Sequence, residues 1–524
     1  MMSTKCLKTV IRCSFRFAAT LALAALALAL FTAPAAIEAQ DASPAITPNV
    51  IPVPLTQLSV DTFNNSSSQH ATEVEPDTFS FGSTIVSVFQ AGRFTDGGCS
   101  DIGFATSTDG GATWTNGFLP GITNIQGAGN PYDRISDPSV AYDSAHGEWI
   151  VASLPIVDAF KSIPAVIVSR SVDGINWDNP ISVTGNVPSS DKDWIACDTT
   201  SSSPFYGNCY VEWDDPSSGD LIHMNTSTDG GLTWGATKNT ANNSFGIGGQ
   251  PVVQPDGTVV VPIEGNQMIA FRSTDGGQTW SSPVTISSIS DHFEAGNLRS
   301  GPLPSAAVDG AGTVYVAWQD CRFRSKCAEN DIVFSTSTDG LTWTSPSRIP
   351  EDPVTSSVDH FIPGIDVDKN TSGSTAHVGV TYYFYAKSNC TSSTCRLGAQ
   401  FISSSNGGAT WRAPLLLAGP MQLGWLPSTT LGQMVGDYIS TSFVNGKAFG
   451  VFAVAKAKNG ATFNEAMYTP TGGLSAPEGG ARFSSALDRP VPGAHSDHGP
   501  RPEQGERGPH PPPGGRRLKK AARE

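Results

Sequence analysis

The sequence predicts an all-β chain assembled from repeats of one hairpin-bearing unit, and three observations carry that prediction. One short turn pattern recurs six times, at Ser107, Ser171, Ser227, Ser273, Ser337 and Ser404, starting 46 to 67 residues apart. The segments between copies are short apolar or alternating runs, such as 84–89, 258–262 and 313–318. Nothing in the chain reads as a long amphipathic helix.

The full pattern is Ser107-Thr-Asp109-Gly110-Gly111-Ala-Thr113-Trp114, repeated closely at Ser227 to Trp234 and Ser273 to Trp280. Degenerate copies run from Ser171 to Trp177, Ser337 to Trp343 and Ser404 to Trp411. Asp or Asn folds the chain by bonding its own backbone, glycine accepts positive φ, and Ser and Thr add local bonds. A buried tryptophan is then expected to fill the gap between neighbouring units.

This pattern resembles the Asp-box, or bacterial neuraminidase repeat, of the sialidase superfamily. The resemblance implies a single β-propeller of four-stranded blades with the boxes in the outer hairpins. The box residues are Asp109 with Trp114, Asp173 with Trp177, Asp229 with Trp234, Asp275 with Trp280, Asp339 with Trp343, and Asn406 with Trp411. A turn present in nearly every unit is structural and cannot be one active site.

Counting first strands gives seven blades, beginning near Pro76, Pro138, Asp193, Gln250, Pro304, Phe361 and Gly436. Six would follow if one unit is an insertion. The seventh unit has no box and no fourth strand, so residues Leu55 to Thr62 are expected to supply that strand and close the ring. The expected organisation is a signal peptide over 1–39, a leader over 40–50, the propeller over 51–471, and a disordered Pro/Gly/Arg-rich tail over 472–524.

Lys5, Lys8, Arg12 and Arg16 precede an apolar core from Phe17 to Phe31, with small residues near Ala33 to Ala39, the layout of an export signal. The mature chain is therefore expected to be secreted, monomeric and without membrane insertion. A net charge of −15 argues against nucleic-acid binding. Cysteine usage fits export: Cys197 with Cys209, Cys321 with Cys327 and Cys390 with Cys395 are expected disulfides, leaving Cys99 unpaired. No CxxC or HxxxH spacing supports a metal, and no cofactor is expected.

The resemblance also implies where chemistry would sit: on loops entering first strands and loops joining second to third strands, on the face opposite the boxes. Those loops carry Glu73, Glu75, Asp133, Arg134, Asp137, Asp191, Asp193, Arg299, His360, Asp437 and Tyr438, and then Arg93, Asp96, Asp214, Asp215, Glu264 and 320–324. Sialidases clamp a sugar carboxylate with three arginines, whose forks suit it bidentately. They attack with a tyrosine activated by glutamate. Carried over, the clamp is Arg93, Arg299 and Arg322, the nucleophile Tyr438, its partner Glu264 and the acid/base Asp96. The Arg-Ile-Pro signature of sialidases occurs here only at Arg348-Ile349-Pro350, after the fifth box. Two function classes follow. One is an exported sialidase-like glycoside hydrolase acting on glycoconjugates or polysaccharides. The other is a non-catalytic propeller binding glycan or protein through mouth aromatics such as Trp194, Trp213, Phe323 and Tyr385, and a polysaccharide hydrolase or lyase of different specificity is a further alternative.

Overall fold

The computed structural model describes residues 53–157, 162–187, 189–476 and the short strand Arg482–Phe483. The expected signal peptide, the leader and most of the tail lie outside the described residues. Within them the chain is β throughout, broken only by three-residue 3-10 turns.

The sheets are four-stranded antiparallel units laid down in chain order. The first contains Glu73–Phe81, Thr84–Arg93, Cys99–Ser107 and Thr115–Phe118. Later sheets open with Arg134–Asp143, Asp191–Cys197, Val252–Val253, Ser305–Val308 and Asp359–Val367. The last opens with Ser440–Val444, continues through Lys447–Ala455 and Glu465–Pro470, and ends on Leu55–Gln57 from the start of the fold. Leu55 pairs with Pro470 and Gln57 with Tyr468, so the expected closing strand is present, shortened to three residues. Among the described residues the seven first strands touch one another in a closed cycle, the last meeting the first. This is a β-propeller.

Closure is written in side chains as well as strands. Around the axis, a polar side chain of one first strand caps an inner-edge backbone group of the next sheet. Asp77 accepts from Val140 N at 2.8 Å, Ser139 from Ile195 N at 3.0 Å, and Gln250 from Ala306 N at 3.0 Å. Ser305 accepts from Ile365 N and Asp366 from Phe443 N, each at 3.0 Å. Ser440 links the last sheet to the first by donating to Thr78 O at 3.3 Å. An inner strand edge is an unpaired row of donors and acceptors, and this belt satisfies part of it.

The repeated turns form the second ring of contacts. Asp109 Oδ1 accepts from Ala112 N and Thr113 N at 3.1 and 2.9 Å, and Oδ2 from Thr113 Oγ1 at 2.6 Å. These donors hold the Asp109 carboxyl down at about 2. The glycines then let each turn lie flat on the preceding sheet. A Cβ on Gly174 would meet Val86, on Gly277 Tyr210, on Gly340 Val260 and on Gly408 Phe334. On Gly111 it would sit 2.2 Å from Phe449 of the last sheet, so the first turn closes the ring too. The tryptophans split into two groups. Trp177, Trp280 and Trp411 are buried against Phe104, Tyr210 and Phe334, whereas Trp114, Trp234 and Trp343 are only half-buried.

All three expected disulfides form, with Cys99 free and buried. No helix among the described residues is long and apolar enough to cross a membrane.

Candidate functional site at the head of the channel

Four first strands share one irregularity: one slips between Phe361 and Gly364, with Ile362 at φ of 52°, and the other three place charged residues at the slip. In these three the pairing register slips between Val74 and Asp77, between Ser136 and Ser139, and between Asp191 and Trp194. At each slip a non-glycine residue takes positive φ: Glu75 at 54°, Asp137 at 48° and Lys192 at 47°. An extra residue in a strand re-aims its side chain, and such backbone clusters at functional sites. Here the bulges bring three charged side chains together at the head of the channel.

Lys192 Nζ lies 2.7 Å from Asp437 Oδ2, 3.4 Å from Glu75 Oε1 and 3.6 Å from Asp137 Oδ2. Arg299 grips the same Asp437 with two arms, Nε to Oδ1 at 2.6 Å and Nη2 to Oδ2. All five side chains are at most 5% exposed. Although burial favours the neutral acid, Arg299 and Lys192 hold the Asp437 carboxyl well below the usual range. Glu75 is pushed up to about 7, chiefly by burial, with Lys192 opposing. Burial likewise raises Asp191 to about 7 and lifts Asp193, Glu212 and Asp214 well above the carboxylate range.

Tyr438 stands beside this network, 6% exposed, with Trp194 edge-on at 5.0 Å and Lys192 Nζ 5.5 Å from its ring centre. Burial pushes the phenol up, and the nearest charges adding to that are Asp137, Glu75 and Asp193. Arg93 is fully buried, donating to Gly98 O at 2.7 Å and to Met434 Sδ at 3.2 Å. Burial, reinforced by nearby Arg299, lowers it to about 10. Arg93, Arg299 and Tyr438 therefore share one locality.

The remaining expected site residues lie elsewhere. Arg322 is tied to Asp320, with Nε 2.8 Å from Oδ1 and Nη2 2.6 Å from Oδ2, and donates to Ser287 Oγ at 2.9 Å. Asp96 pairs with Arg134 at 2.7 Å, half in solvent. Glu264 ends the strand Val259–Glu264, its backbone bonded to Ile247, and it is not among the charges acting on Tyr438. The carboxylates acting on the phenol are Asp137 first, then Glu75, Asp193 and Asp77. His360 sits with Tyr382 and Asp331 between other sheets. There Asp331, Glu351 and His360 have metal-ligand proximity, but Arg348 Nε at 2.9 Å and Arg324 supply the positive charge on Asp331. Of the mouth aromatics, Trp213, Phe323 and Tyr385 are buried, while Trp194 lines the channel.

Sequence reasoning passed over Lys192. Flanked by Asp191 and Asp193 it reads as a solvated charge. Its signal was positional, since it occupies the strand position of Glu75 and Asp137 in the preceding units.

Beneath the charged network the first strands of all seven sheets enclose a cavity of about 490 Å³. It runs from Asp77, Trp194 and Gln250 towards Phe81, Thr199, Asn370 and Asn445. First and third strands run the same way, so this end of the channel is the face carrying the repeated turns.

No family model and no curated protein matches the chain. Among solved structures it is similar to a protein of unknown function from Dyadobacter fermentans, at 18% identity and TM-score 0.42 over 66% of this chain and 98% of that one. It is also similar to the Hadza microbial sialidase Hz136, at 14% identity and TM-score 0.41 over 69% and 68% of the two chains. A third similar structure is Trypanosoma rangeli sialidase in complex with sialic acid, at 14% identity and TM-score 0.41, covering 80% of this chain and 59% of that one. Two of these three are sialidases.

Proposed function

We propose that the chain is an exported carbohydrate-binding propeller that does not hydrolyse sialosides. One observation carries this reading: the cations at the expected mouth are neutralised from within. Lys192 and Arg299 both rest on Asp437, and Arg322 rests on Asp320. A clamp for a substrate carboxylate needs guanidinium forks open to it, and two of the three expected forks are spent on protein acids. The three disulfides fit an oxidising, extracellular setting. Carbohydrate is the partner that the turn pattern implies, and the protein acts as a monomer.

Incubation with a fluorogenic sialoside tests the reading. No release is expected, while titration calorimetry against oligosaccharides should register binding. Release that disappears in Tyr438→Phe would reverse the conclusion. It would support hydrolysis of the sialidase type instead, with Tyr438 as nucleophile, Arg93, Arg299 and Arg322 as substrate-binding groups and Asp96 as acid/base. The observation favouring that second reading is that buried carboxylates, Asp137 and Glu75 foremost, act on Tyr438, as Glu264 was expected to do.

A further inference from the structure

We propose that the ligand site is the channel cavity below the charged network, entered from the face of the repeated turns, and that it takes a neutral sugar of mono- to disaccharide size. This rests on the carbohydrate reading above and places the ligand at the end of the channel opposite to the expected mouth.

Size comes first. A volume of about 490 Å³ falls within the roughly 300–1,000 Å³ of ordinary small-molecule sites. The head of the channel cannot serve, because its side chains are at most 6% exposed and fill it with each other.

The lining chemistry matches a polyol. Asp366, Asn370, Asn445 and Thr199 offer carboxylate, amide and hydroxyl groups, which accept from or donate to sugar hydroxyls. The bond from Phe443 N engages one oxygen of Asp366, and a carboxylate has about four acceptor positions. Phe81, 41% exposed, offers a ring on which the C–H face of a pyranose can lie.

Charge selects the neutral class. Lys369 is open to the cavity, but the wall surrounds it and its ammonium stands 4.5 Å from the centre of the Phe79 ring. Burial lowers the Lys369 ammonium, with Asp366 opposing. The lining holds Lys369 with three acids, Asp77, Asp366 and Asp368; burial keeps Asp77 and Asp366 protonated up to about 7, which leaves little surplus charge for a carboxylate or an amine. The cavity does offer polar groups of both senses.

The test uses the mature chain with lactose and cellobiose as neutral probes and N-acetylneuraminic acid as the anionic one. Calorimetry should show the neutral disaccharides binding, and Phe81→Ala or Lys369→Ala should weaken them tenfold or more with melting unchanged. As an independent readout, Asn370→Cys at the cavity rim should react with a maleimide, and lactose should slow that reaction. Neutral sugars that bind equally well to both variants, without slowing the label, would overturn the channel site and leave the carbohydrate reading standing. Selective binding of the anionic probe would overturn the neutral class. Failure of every sugar to bind would overturn both.

Discussion

Lys192 and Asp437 meet at 2.7 Å although they stand on the third and the last sheets of the ring. Their contact ties the two halves of the propeller across its axis, in a place where water is excluded. Removing one partner of a buried pair strands the other charge, a loss of about 3–5 kcal/mol. Asp437→Asn should therefore lower the denaturation midpoint sharply, since it also releases Arg299. A chemical melt checks this. A midpoint equal to wild type would mean the network is not holding the head of the channel together.

Gly111→Ala should destabilise by about 1–3 kcal/mol, the usual cost of overpacking. The residue has φ of 85°, and a Cβ there would lie 2.2 Å from Phe449. Phe449→Leu in the same background should recover part of the loss. Purely additive effects in the double mutant would show that the turn does not press on the last sheet.

The six tryptophans should not behave alike. Trp280→Ala, removing a ring that is 3% exposed and packed on Tyr210 and Phe271, should cost about 3–5 kcal/mol. Trp234→Ala, removing a half-buried ring, should cost clearly less. Thermal melts of the two variants side by side give the ordering.

Stability should fall as pH rises from about 4 to about 8. Burial raises Glu75, Asp77, Asp191 and Asp366 to about 7 and Glu73 to about 8. The folded chain thus keeps protons that the unfolded chain releases near 4, so their contribution is complete below 4 and lost through 7 to 8. The depressed Asp437 works oppositely, but its contribution fades only below the usual carboxylate range. Urea midpoints at pH 5 and pH 8 measure the slope, and Asp77→Asn should flatten it. A midpoint higher at pH 8 would contradict the assignment.

The fold was legible because its instructions are local and repeated. The Asp-Gly turns declare themselves through their own hydrogen bonds, and the missing last strand could be inferred from a unit one strand short. The head of the channel was legible only in part. Arg93, Arg299 and Tyr438 could be sorted to one face by topology. Lys192 shares its loop with Asp191 and Asp193, but its role depends on a bulge that moves it to the axis, and a bulge leaves no composition signal. Arg322 was expected to hold substrate, whereas Asp320, two residues away, takes it in an ion pair. The cavity escaped notice because its walls are drawn from seven segments spread from Asp77 to Asn445.

The strand Leu55–Gln57 has a consequence for biogenesis. Its partner, Glu465–Pro470, is made some four hundred residues after it. Synthesis from the N-terminus therefore delivers the first half of this pairing long before the second half exists. Until then the early strand is an open edge, exposed to any neighbour that offers a β-segment. Completion is slow to nucleate because so long a loop must close. The protein is thus at its most vulnerable just before Glu465–Pro470 arrives, and a chaperone would do the most good at that moment.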